Sequence, residues 1–455
     1  MIRARVCIAS ALVLFMSAGC GDDDEEQTSC SLTGKSGCKE GLVCEEVQGG
    51  EPACFAPISI KGKVFDALDE SPVSGAHVIA RDANDVAVSP VAISDAMGLY
   101  TLRVPVKRNA DGSIALTDTD VTLRADALGY LTFPKAPRTA LPVDLASRTG
   151  DPPTVQNAAT DIALIPLEDA SGLGSISGKV LSENPGGTLV VAGGATGLAD
   201  RDGDYTVFNV PAGSVDVSGY APAVNLETKT AEVTANQTTS GVNLGVLSEA
   251  TAEVTGNIQI VNAPGGAMTS VILVVEETFQ EDVARGEAPP GLRAFPVSGN
   301  FAIPNVPDGK YVVLAAFEND DLVRDPDTSI GGTEIVHITV NGDNFDTGDS
   351  FKVTEALAVV SPGADEIETV SGTPTFSWAD DSSEDSYTVV VYDALGNLIW
   401  EEEGIAGPGG NADAEVEYGG PALEPGMIYQ FRATSIKDGV PISQTEDLRG
   451  VFLYE

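Results

Sequence analysis

Three stretches of this chain share one pattern that decides its fold: Ser94-Asp-Ala-Met-Gly-Leu-Tyr-Thr-Leu-Arg-Val-Pro105, Ala199-Asp-Arg-Asp-Gly-Asp-Tyr-Thr-Val-Phe-Asn-Val-Pro211 and Val297-Ser-Gly-Asn-Phe-Ala-Ile-Pro-Asn-Val-Pro307. Each has a glycine, an aromatic residue two positions later and an aliphatic residue two after that. Apolar side chains at every second position predict a strand with one buried face. We therefore interpret each stretch as a strand–turn–strand unit. The last two continue into Asn-Val-Pro-x-Gly, which predicts another turn.

The glycines and aromatic residues of this unit have different predicted roles. A tight hairpin requires positive φ, which glycine adopts without steric cost. The aromatic side chain is expected on the buried face of the strand that follows. The glycines are Gly98, Gly203 and Gly299, and the aromatic residues are Tyr100, Tyr205 and Phe301.

The unit recurs about every 100 residues, a spacing typical of domains rather than of solenoid repeats. Each copy also opens with Gly-x-Val or Gly-x-Ile, at Gly62–Val64, Gly178–Val180 and Gly256–Ile258. Copies one and two later show Gly129-Tyr130 and Gly219-Tyr220. We find no convincing amphipathic helix pattern longer than about ten residues. The sequence therefore predicts an all-β chain of tandem β-sandwich domains.

The three copies resemble the carboxypeptidase regulatory-like and Cna B-type families, which are prealbumin-like β-sandwiches found in strings on bacterial surface proteins. The resemblance implies sandwiches at 57–170, 171–250 and 251–355. Some Cna B-type domains carry a Lys–Asn isopeptide bond, and Lys179 with Asn243 would be its candidates here.

The last hundred residues differ and resemble a fibronectin type III or related immunoglobulin-like sandwich, covering 356–455. The marks are Pro374-Thr-Phe-Ser-Trp378 and Leu423-Glu-Pro-Gly-Met-Ile-Tyr429. The resemblance implies that Trp378 lies on a core strand and that Tyr429 forms a tyrosine corner.

The N-terminus has the features of an export signal. Two arginines precede the apolar run Val6–Met16, which ends in Ser17-Ala-Gly-Cys20 and is too short to span a bilayer. It resembles the lipobox of bacterial lipoproteins, which implies a signal peptide at 1–19 and lipidation of Cys20. Residues 20–29 are then an acidic, flexible tether. The alternative is an ordinary secreted protein cut nearby, since Ser17 stands where that family most often has Leu.

A cysteine cluster follows, and it predicts a small disulfide module at 30–56. Cys30, Cys38, Cys44 and Cys54 are an even set in an exported chain, which is typical of two disulfides. Three pairings are possible. Zinc is the alternative, but the cluster has no CxxC pair and no nearby histidine.

The formal net charge of −43 constrains the partners. Such an acidic chain does not neutralise phosphates, so nucleic acid is excluded as a partner, and anionic lipid surfaces repel it. Disorder, the other reading of an acidic chain, does not fit 42% hydrophobic residues in short β-branched runs.

Catalytic chemistry has few candidates, so we predict no enzyme and no cofactor. The two histidines, His77 and His337, lie within strand patterns of different copies, and we interpret both as cross-strand surface residues rather than catalysts. Asp200, Asp202 and Asp204 have the spacing of the first three calcium ligands of an EF-hand. The positions of its glycine and its bidentate glutamate hold other residues, however. The same triplet is explained by a polar hairpin tip. The acidic stretch 318–327 is interpreted as a loop.

The sequence thus predicts a lipid-anchored, non-enzymatic protein of the cell envelope. Gly21, not Asp, follows Cys20, which by analogy with the lipoproteins of enteric bacteria favours the outer membrane. The surface and the periplasmic face of that membrane are both left open. Its sandwiches would serve adhesion, recognition of a protein or glycan, or spacing in an assembly. The alternative is an accessory subunit that captures carbohydrate or peptide, for which Trp400 is the candidate aromatic platform. Packing against the core or an edge strand is the competing role for Trp400.

Overall fold

The computed structural model describes residues 30–32, 37–39, 41–82, 87–115, 120–135, 138, 140–261, 268–280, 286–318, 325–326, 336–348, 351–354, 356–381, 384–408, 412–446 and 449–455. The predicted signal peptide, the tether with Cys20 and most of the acidic stretch 318–327 lie outside these residues. Within them the fold is all-β, as predicted. The helical elements described are three single 3-10 turns, Leu145–Ser147, Ala158–Thr160 and Glu276–Thr278. Among the described residues, no helix has the length and apolar character needed to cross a membrane.

The cysteine-rich module is a two-stranded ribbon, with β1 at Val43–Glu45 and β2 at Ala53–Phe55 in antiparallel register. Its cysteines form the disulfides Cys30–Cys44 and Cys38–Cys54. The structure therefore selects one of the three possible pairings. These disulfides also occupy the thiols that a zinc site would need.

The first sandwich module contains two facing sheets. One has the order β10-β3-β6 with β9 also on β3, and the other has the order β5-β4-β7-β8. The strands are β3 Ile58–Asp66, β4 His77–Arg81, β5 Ala92–Ile93, β6 Leu99–Val104, β7 Asp120–Asp126, β8 Val143–Asp144, β9 Thr154–Val155 and β10 Ile162–Leu164.

The second module forms one continuous nine-stranded sheet, with the order β13-β12-β15-β16-β19-β11-β14, β17 on β15 and β18 on β11. A Cβ on Gly197 of β13 would lie 2.3 Å from the carbonyl oxygen of Thr206 on β14, so the two end strands meet. The strands are β11 Leu173–Leu181, β12 Leu189–Ala192, β13 Ala195–Leu198, β14 Asp204–Pro211, β15 Gly213–Ala221, β16 Val224–Leu226, β17 Lys229–Val233, β18 Thr238–Ser240 and β19 Leu244–Glu249.

The third module again has two sheets. One has the order β23-β20-β27 with β28 on β20, and the other has the order β22-β21-β24-β25 with β26 on β24. The strands are β20 Ala252–Val261, β21 Met268–Val275, β22 Arg293–Ala294, β23 Asn300–Val306, β24 Gly309–Glu318, β25 Asp325–Pro326, β26 Val336–Val340, β27 Phe345–Asp346 and β28 Phe351–Thr354.

The fourth module pairs a three-stranded sheet, β29-β31-β34, with a larger one of order β30-β37-β35-β32-β33 that also holds β36 on β35. The strands are β29 Val359–Ser361, β30 Glu368–Val370, β31 Thr375–Trp378, β32 Ser386–Asp393, β33 Leu398–Ile405, β34 Ala414–Glu417, β35 Ile428–Lys437, β36 Val440–Gln444 and β37 Val451–Tyr454.

The first three modules share one arrangement around the opening strand. That strand pairs in parallel with two short late segments: β9 and β10, β18 and β19, or β27 and β28. The glycine of Gly-x-Val or Gly-x-Ile lies opposite the break between these segments, because a side chain there would collide with the crossing chain. A Cβ on Gly62 would lie 1.9 Å from the carbonyl oxygen of Thr160, and one on Gly178 would lie 1.9 Å from that of Val242. Both carbonyls belong to the backbone that connects the two late segments. On its other side, this glycine pairs with Tyr100, Tyr205 or Phe301.

Two details differ from the sequence predictions. Gly98 and Gly203 have positive φ, of 74° and 85°, but Gly299 does not, so that prediction is wrong for the third copy. The residue three before Gly299 is a proline rather than the aspartate present in the other copies, so the turn-forming carboxylate is absent there. The two Gly-Tyr pairs are also not equivalent. His77 pairs with Asp126 in the first module, and Leu189 pairs with Tyr220 at the equivalent place in the second. Three residues beyond Asp126 and Tyr220 lie Gly129 and Ala223, which both have positive φ. Gly129 therefore corresponds to Ala223 and not to Gly219.

The first three modules do not form separate cores joined end to end. Val78 and Ala80 of β4 face the core of the first module, whereas Ile79 joins a cluster that also contains residues of the other two modules. Likewise Val190 faces its own core, and Val191 faces the shared cluster. Strands β4 and β12 are therefore buried on both faces, which explains why their sequences are apolar without alternation.

Candidate functional site

Hairpin tips in the first two modules are closed by an aspartate side chain. Asp95 Oδ1 accepts hydrogen bonds from the N–H groups of Met97 (2.8 Å) and Leu99 (2.9 Å). Asp200 Oδ1 accepts from the N–H groups of Asp202 (2.9 Å) and Asp204 (3.0 Å) in the same way. The glycine pattern alone does not predict this role of the aspartate, although the signal Asp-x-x-Gly is present in both copies.

The aspartate triplet proposed for calcium is part of this hairpin. The Asp200, Asp202 and Asp204 side chains each bring an oxygen within 4.8 Å of the others, so they are the residues that could hold a cation. Asp200 is 7% exposed, and burial raises the pKa of its carboxyl. Asp204 forms an ion pair with Lys179 Nζ at 2.9 Å. Because Asp95 closes its own tip without such acidic neighbours, hairpin closure alone explains Asp200.

The Lys179 and Asn243 side chains are not arranged for an isopeptide bond. Asn243 Oδ1 accepts a hydrogen bond from the backbone N–H of Lys179 at 3.0 Å, while Lys179 Nζ binds Asp204 instead. In the first module Asp161 Oδ1 accepts from the backbone N–H of Lys63 at 2.9 Å. Asn243 thus fixes the break between the two late segments, as Asp161 does.

The aromatic residues of the repeat lie in the cores. Tyr100 is 3% exposed and its hydroxyl donates to the Thr160 carbonyl at 2.6 Å; burial raises its pKa well above that of free tyrosine. The Tyr205 hydroxyl donates to the Val242 carbonyl at the equivalent break. Phe301 has no hydroxyl, and Thr347 Oγ1 lies close to the glycine there. These buried side chains organise the core of each module.

The two histidines lie in different modules and have different surroundings. His77 is partly buried at the junction of two modules, where its ring packs edge-on against Phe208 at 4.9 Å. Burial lowers the pKa of His77, and the charge of Asp126 opposes this. His337, on β26 of the third module, is exposed and has Nδ1 3.0 Å from Glu276 Oε1. The prediction of a surface position therefore holds for His337 and is wrong for His77.

A cleft of about 180 Å³ lies beside His77, between the first two modules. Its walls include Ile79, Ile93 and Leu198, together with the carboxylates of Asp126 and Asp200. Asp126 already accepts hydrogen bonds from Arg124, and Asp200 closes its hairpin. The cleft therefore offers apolar walls and carboxylates that already have partners.

An asparagine side chain joins the first and second modules. Asn209 Oδ1 accepts from the Gly129 N–H at 2.7 Å, and Nδ2 donates to the carbonyls of Ala127 (3.1 Å) and Tyr130 (2.7 Å). Asn209 has φ of 60° and sits at a bulge in the β11–β14 ladder. A single side chain thus satisfies three backbone groups of the neighbouring turn.

The same kind of junction recurs between the second and third modules. Ala223 occupies the turn equivalent to that of Gly129, and its N–H donates to the carbonyl of Asn305 at 2.8 Å. The Asp308 N–H donates to Asn225 Oδ1 at 2.7 Å. Asn305, like Asn209, has φ of 60° and marks a bulge. The Asn-Val-Pro motif therefore shapes a docking turn as well as ending a strand.

Arg124 of β7 connects the first three modules. Its side chain is 1% exposed, with Nε 2.9 Å from Asp126 Oδ2, Nη1 3.1 Å from Glu287 Oε2 and Nη2 3.0 Å from Thr196 Oγ1. Asp126 belongs to the first module, Thr196 to the second and Glu287 to the third. Burial favours the neutral guanidine, but the two carboxylates outweigh it and raise the pKa of Arg124. The arginine is therefore a permanent, buried cation at a three-module junction.

The cysteine-rich module is attached to the first sandwich by a second buried ion pair. Glu45 binds Arg108 Nε, and Arg108 Nη2 donates to the Ala56 carbonyl at 2.9 Å. The Arg108 guanidinium also lies 4.5 Å from the centre of the Phe55 ring. Burial raises the pKa of Glu45 despite this partner. The disulfide module is thus held to the sandwich that follows it.

The fourth module places its two marker residues in the core. Trp378 is fully buried and packs against Tyr387 at 5.2 Å. The Tyr429 hydroxyl accepts a hydrogen bond from the Glu424 N–H at 2.9 Å, the backward contact expected of a tyrosine corner. Trp400 is partly buried against Tyr418, at 5.2 Å. It packs on the edge of the core, so it does not form a free aromatic platform.

Arg138 connects the fourth module to the first. Its Nε donates to the Ala394 carbonyl at 3.1 Å, and its Nη2 donates to the Ala163 carbonyl at 2.9 Å. Burial lowers the pKa of Arg138, with Asp393 acting in the opposite direction. The fourth module therefore contacts the first module, although two other modules lie between them in the sequence.

No family model matches this chain, and no curated protein matches it. Solved structures with similarity include a Bacillus anthracis protein named TIE, at 13% identity and a TM-score of 0.16. That match covers 65% of this chain and 50% of the other, so this chain spans about half of that protein's length. The major pilin subunit of Bacillus cereus matches at 10% identity and a TM-score of 0.16, covering 65% and 98%. Two B repeat units of the collagen-binding protein of Staphylococcus aureus match at 12% and 0.18, covering 87% and 98%. Likenesses this slight carry no argument about this chain.

Proposed function

We propose that this chain is a lipid-anchored protein of the cell envelope that acts without catalysis and presents a stiff block of β-sandwich modules for adhesion, recognition or spacing. The observation that carries the proposal is the buried contact of Arg124 with three modules. A fixed relative orientation of modules suits a spacer or a platform for loops, since binding loops act best on a rigid scaffold.

The anchor in this proposal is the thioether lipid on Cys20. It is supported by the basic residues, the apolar run and the small residues before Cys20, followed by an acidic tether. The proposal includes sorting to the outer membrane, and it fits a chain on the cell surface as well as one on the periplasmic face. The partner is a protein or glycan rather than nucleic acid, because a chain of net charge −43 repels phosphates.

The anchor is tested by expressing the full chain and its Cys20→Ala variant in a diderm bacterium supplied with a labelled fatty acid. We expect the label and membrane fractionation in the wild-type chain and neither in the variant. Inhibition of lipoprotein signal peptidase should leave an unprocessed precursor. A soluble, unlabelled wild-type chain would refute the anchor.

The orientation and the absence of catalysis need separate measurements. Protease treatment of whole cells should digest a surface-exposed chain and spare a periplasmic one. A panel of glycan and peptide substrates should show no turnover by the purified protein. Turnover that survives repurification would contradict the non-enzymatic role.

A further inference from the structure

The outer face of the first sheet of the first module carries three cations, although the chain as a whole is strongly acidic. Lys61 and Lys63 of β3 and Arg103 of β6 point to this side, opposite the buried face. Ser59 lies opposite Arg103 and Thr101 opposite Lys61, so the three cations are neighbours on two paired strands. Lys61 and Arg103 are exposed, and Lys63 is half-buried. We call these three residues the basic face.

The basic face lacks the acidic partner that its counterpart in the second module has. Lys63 corresponds to Lys179, whose Nζ lies 2.9 Å from Asp204, but Leu99 stands opposite Lys63. Asp161 accepts the backbone N–H of Lys63, and among the described residues no ion pair forms with any side chain of the basic face. The positions of Lys61 and Arg103 hold uncharged residues in the other two repeats, namely Ser177, Phe208, Thr255 and Pro304.

The chain contains a complementary segment that is long enough to reach this face. Asp22–Glu26 is a run of five consecutive acidic residues, which lies outside the described residues. The described chain begins at Cys30, whose N–H donates to the carbonyl of Pro52 at 3.4 Å. Fully extended, the chain from Pro52 to Ser59 spans about 24 Å and the chain from Asp22 to Cys30 about 27 Å. The acidic run can therefore extend as far as Arg103, opposite Ser59.

We propose that the acidic run Asp22–Glu26 docks on the basic face of the first module of the same chain. The run offers five carboxylates to three cations, and its covalent connection keeps it at a high local concentration. An acidic segment of another protein, or an anionic membrane, would have to displace it.

Docking fixes which side of the first module turns towards the anchor at Cys20, so the block of modules does not swing freely at the membrane. This consequence for orientation rests on the lipid anchor proposed above. The contact itself does not depend on the lipid.

The test measures the acetylation rate of each lysine in the full mature chain, kept in a neutral detergent, by mass spectrometry. The variant replaces Asp22, Asp23 and Asp24 with Asn, and Glu25 and Glu26 with Gln. Lys61 should react at least about threefold faster in this variant, which corresponds to a docked fraction of about two thirds in the wild type. In about 1 M salt, where the Debye length is about 3 Å, wild type and variant should react alike.

Two controls separate docking from the general effect of charge. Lys310, exposed on the third module, should react at the same rate in both proteins. A matched variant neutralises five exposed glutamates of the fourth module and should leave the rate of Lys61 unchanged. The glutamates, each replaced by Gln, are Glu401, Glu402, Glu403, Glu415 and Glu417. Equal rates of Lys61 in wild type and the Asp22–Glu26 variant, or equal acceleration by both variants, would overturn the proposal.

Cross-linking identifies the occupant of the basic face. A carbodiimide, which joins a carboxylate to a lysine amine with net loss of water, should link the peptide containing Asp22–Glu26 to Lys61 or Lys63. In a mixture of isotope-labelled and unlabelled chains these links should lie within one chain. Links only between chains would assign the face to a second copy, and protection of Lys61 only by phosphatidylglycerol vesicles would assign it to the membrane; either result refutes docking. A chain without lipid can pass this test and a lipidated chain can fail it, so failure of the contact and failure of the anchor are distinguishable.

Discussion

Replacing Arg124 with methionine is the sharpest test of the three-module junction. The change removes a cation that is 1% exposed and leaves Asp126, at 10% exposure, and Glu287, at 29%, without it. Breaking a buried ion pair on one side costs about 3–5 kcal/mol, since a desolvated charge loses its partner. Asp126 bears most of this cost, because Glu287 can regain water. We therefore expect a loss near the lower end, about 3 kcal/mol.

The assay is urea unfolding of wild type and variants, combined with hydrogen exchange resolved by module. Lys229→Met is the matched control, because its pair with Glu227 at 2.6 Å is more than 40% exposed on both sides. The control should cost at most about 1 kcal/mol. Exchange in Arg124→Met should rise in all three modules, whereas the control should raise it only near β17.

A second variant measures the link between modules directly. Glu287→Gln removes only the contribution of the third module, so combining it with Arg124→Met should cost less than the sum of the two changes. Additive losses would mean that Arg124 and Glu287 are not coupled. A loss below about 1 kcal/mol for Arg124→Met, or exchange changes limited to the first module, would refute the reasoning.

Three further predictions concern single modules. Gly62→Ala should destabilise the protein by about 2 kcal/mol or more in urea unfolding, because its Cβ would lie 1.9 Å from the Thr160 carbonyl oxygen. The control Gly50→Ala should be near neutral, because the nearest atom to its Cβ would be 3.4 Å away. Burial lowers the pKa of His77 below 6.5, so the unfolded chain binds a proton at a higher pH than the folded chain does. The free energy of unfolding should therefore fall as the pH drops below about 6.5, and His77→Leu should remove this pH dependence. An unchanged pH dependence in the variant would contradict the assignment. Asp200→Ala should cost about 1–3 kcal/mol and Asp200→Asn much less, because asparagine still accepts the two N–H bonds, and addition of calcium should leave the melting temperature unchanged. A calcium-dependent rise that Asp200→Asn abolishes would show instead that the triplet binds the ion.

Local patterns in the sequence were sufficient for the fold class. The aromatic and aliphatic residues after Gly98 and Gly203 alternate with period two, so they predict buried strands without knowledge of distant partners. Clustered cysteines likewise predict a disulfide module, but their spacing leaves the pairing open. The prediction of a positive φ is wrong only at Gly299, where Pro296 stands in place of the aspartate that closes the turn in the first two copies.

What the sequence by itself determined is therefore the all-β class, the repeat and the buried face of its alternating strands, because side-chain periodicity is set within a few residues. Only the tertiary structure decided how the modules join. Arg124 meets Thr196 and Glu287 across 72 and 163 residues of chain. Asn209 reaches a turn about 80 residues away. The uninterrupted apolar strands β4 and β12 signal burial on both faces, but no local pattern names the neighbour, since interfaces depend on the relative placement of whole folded modules.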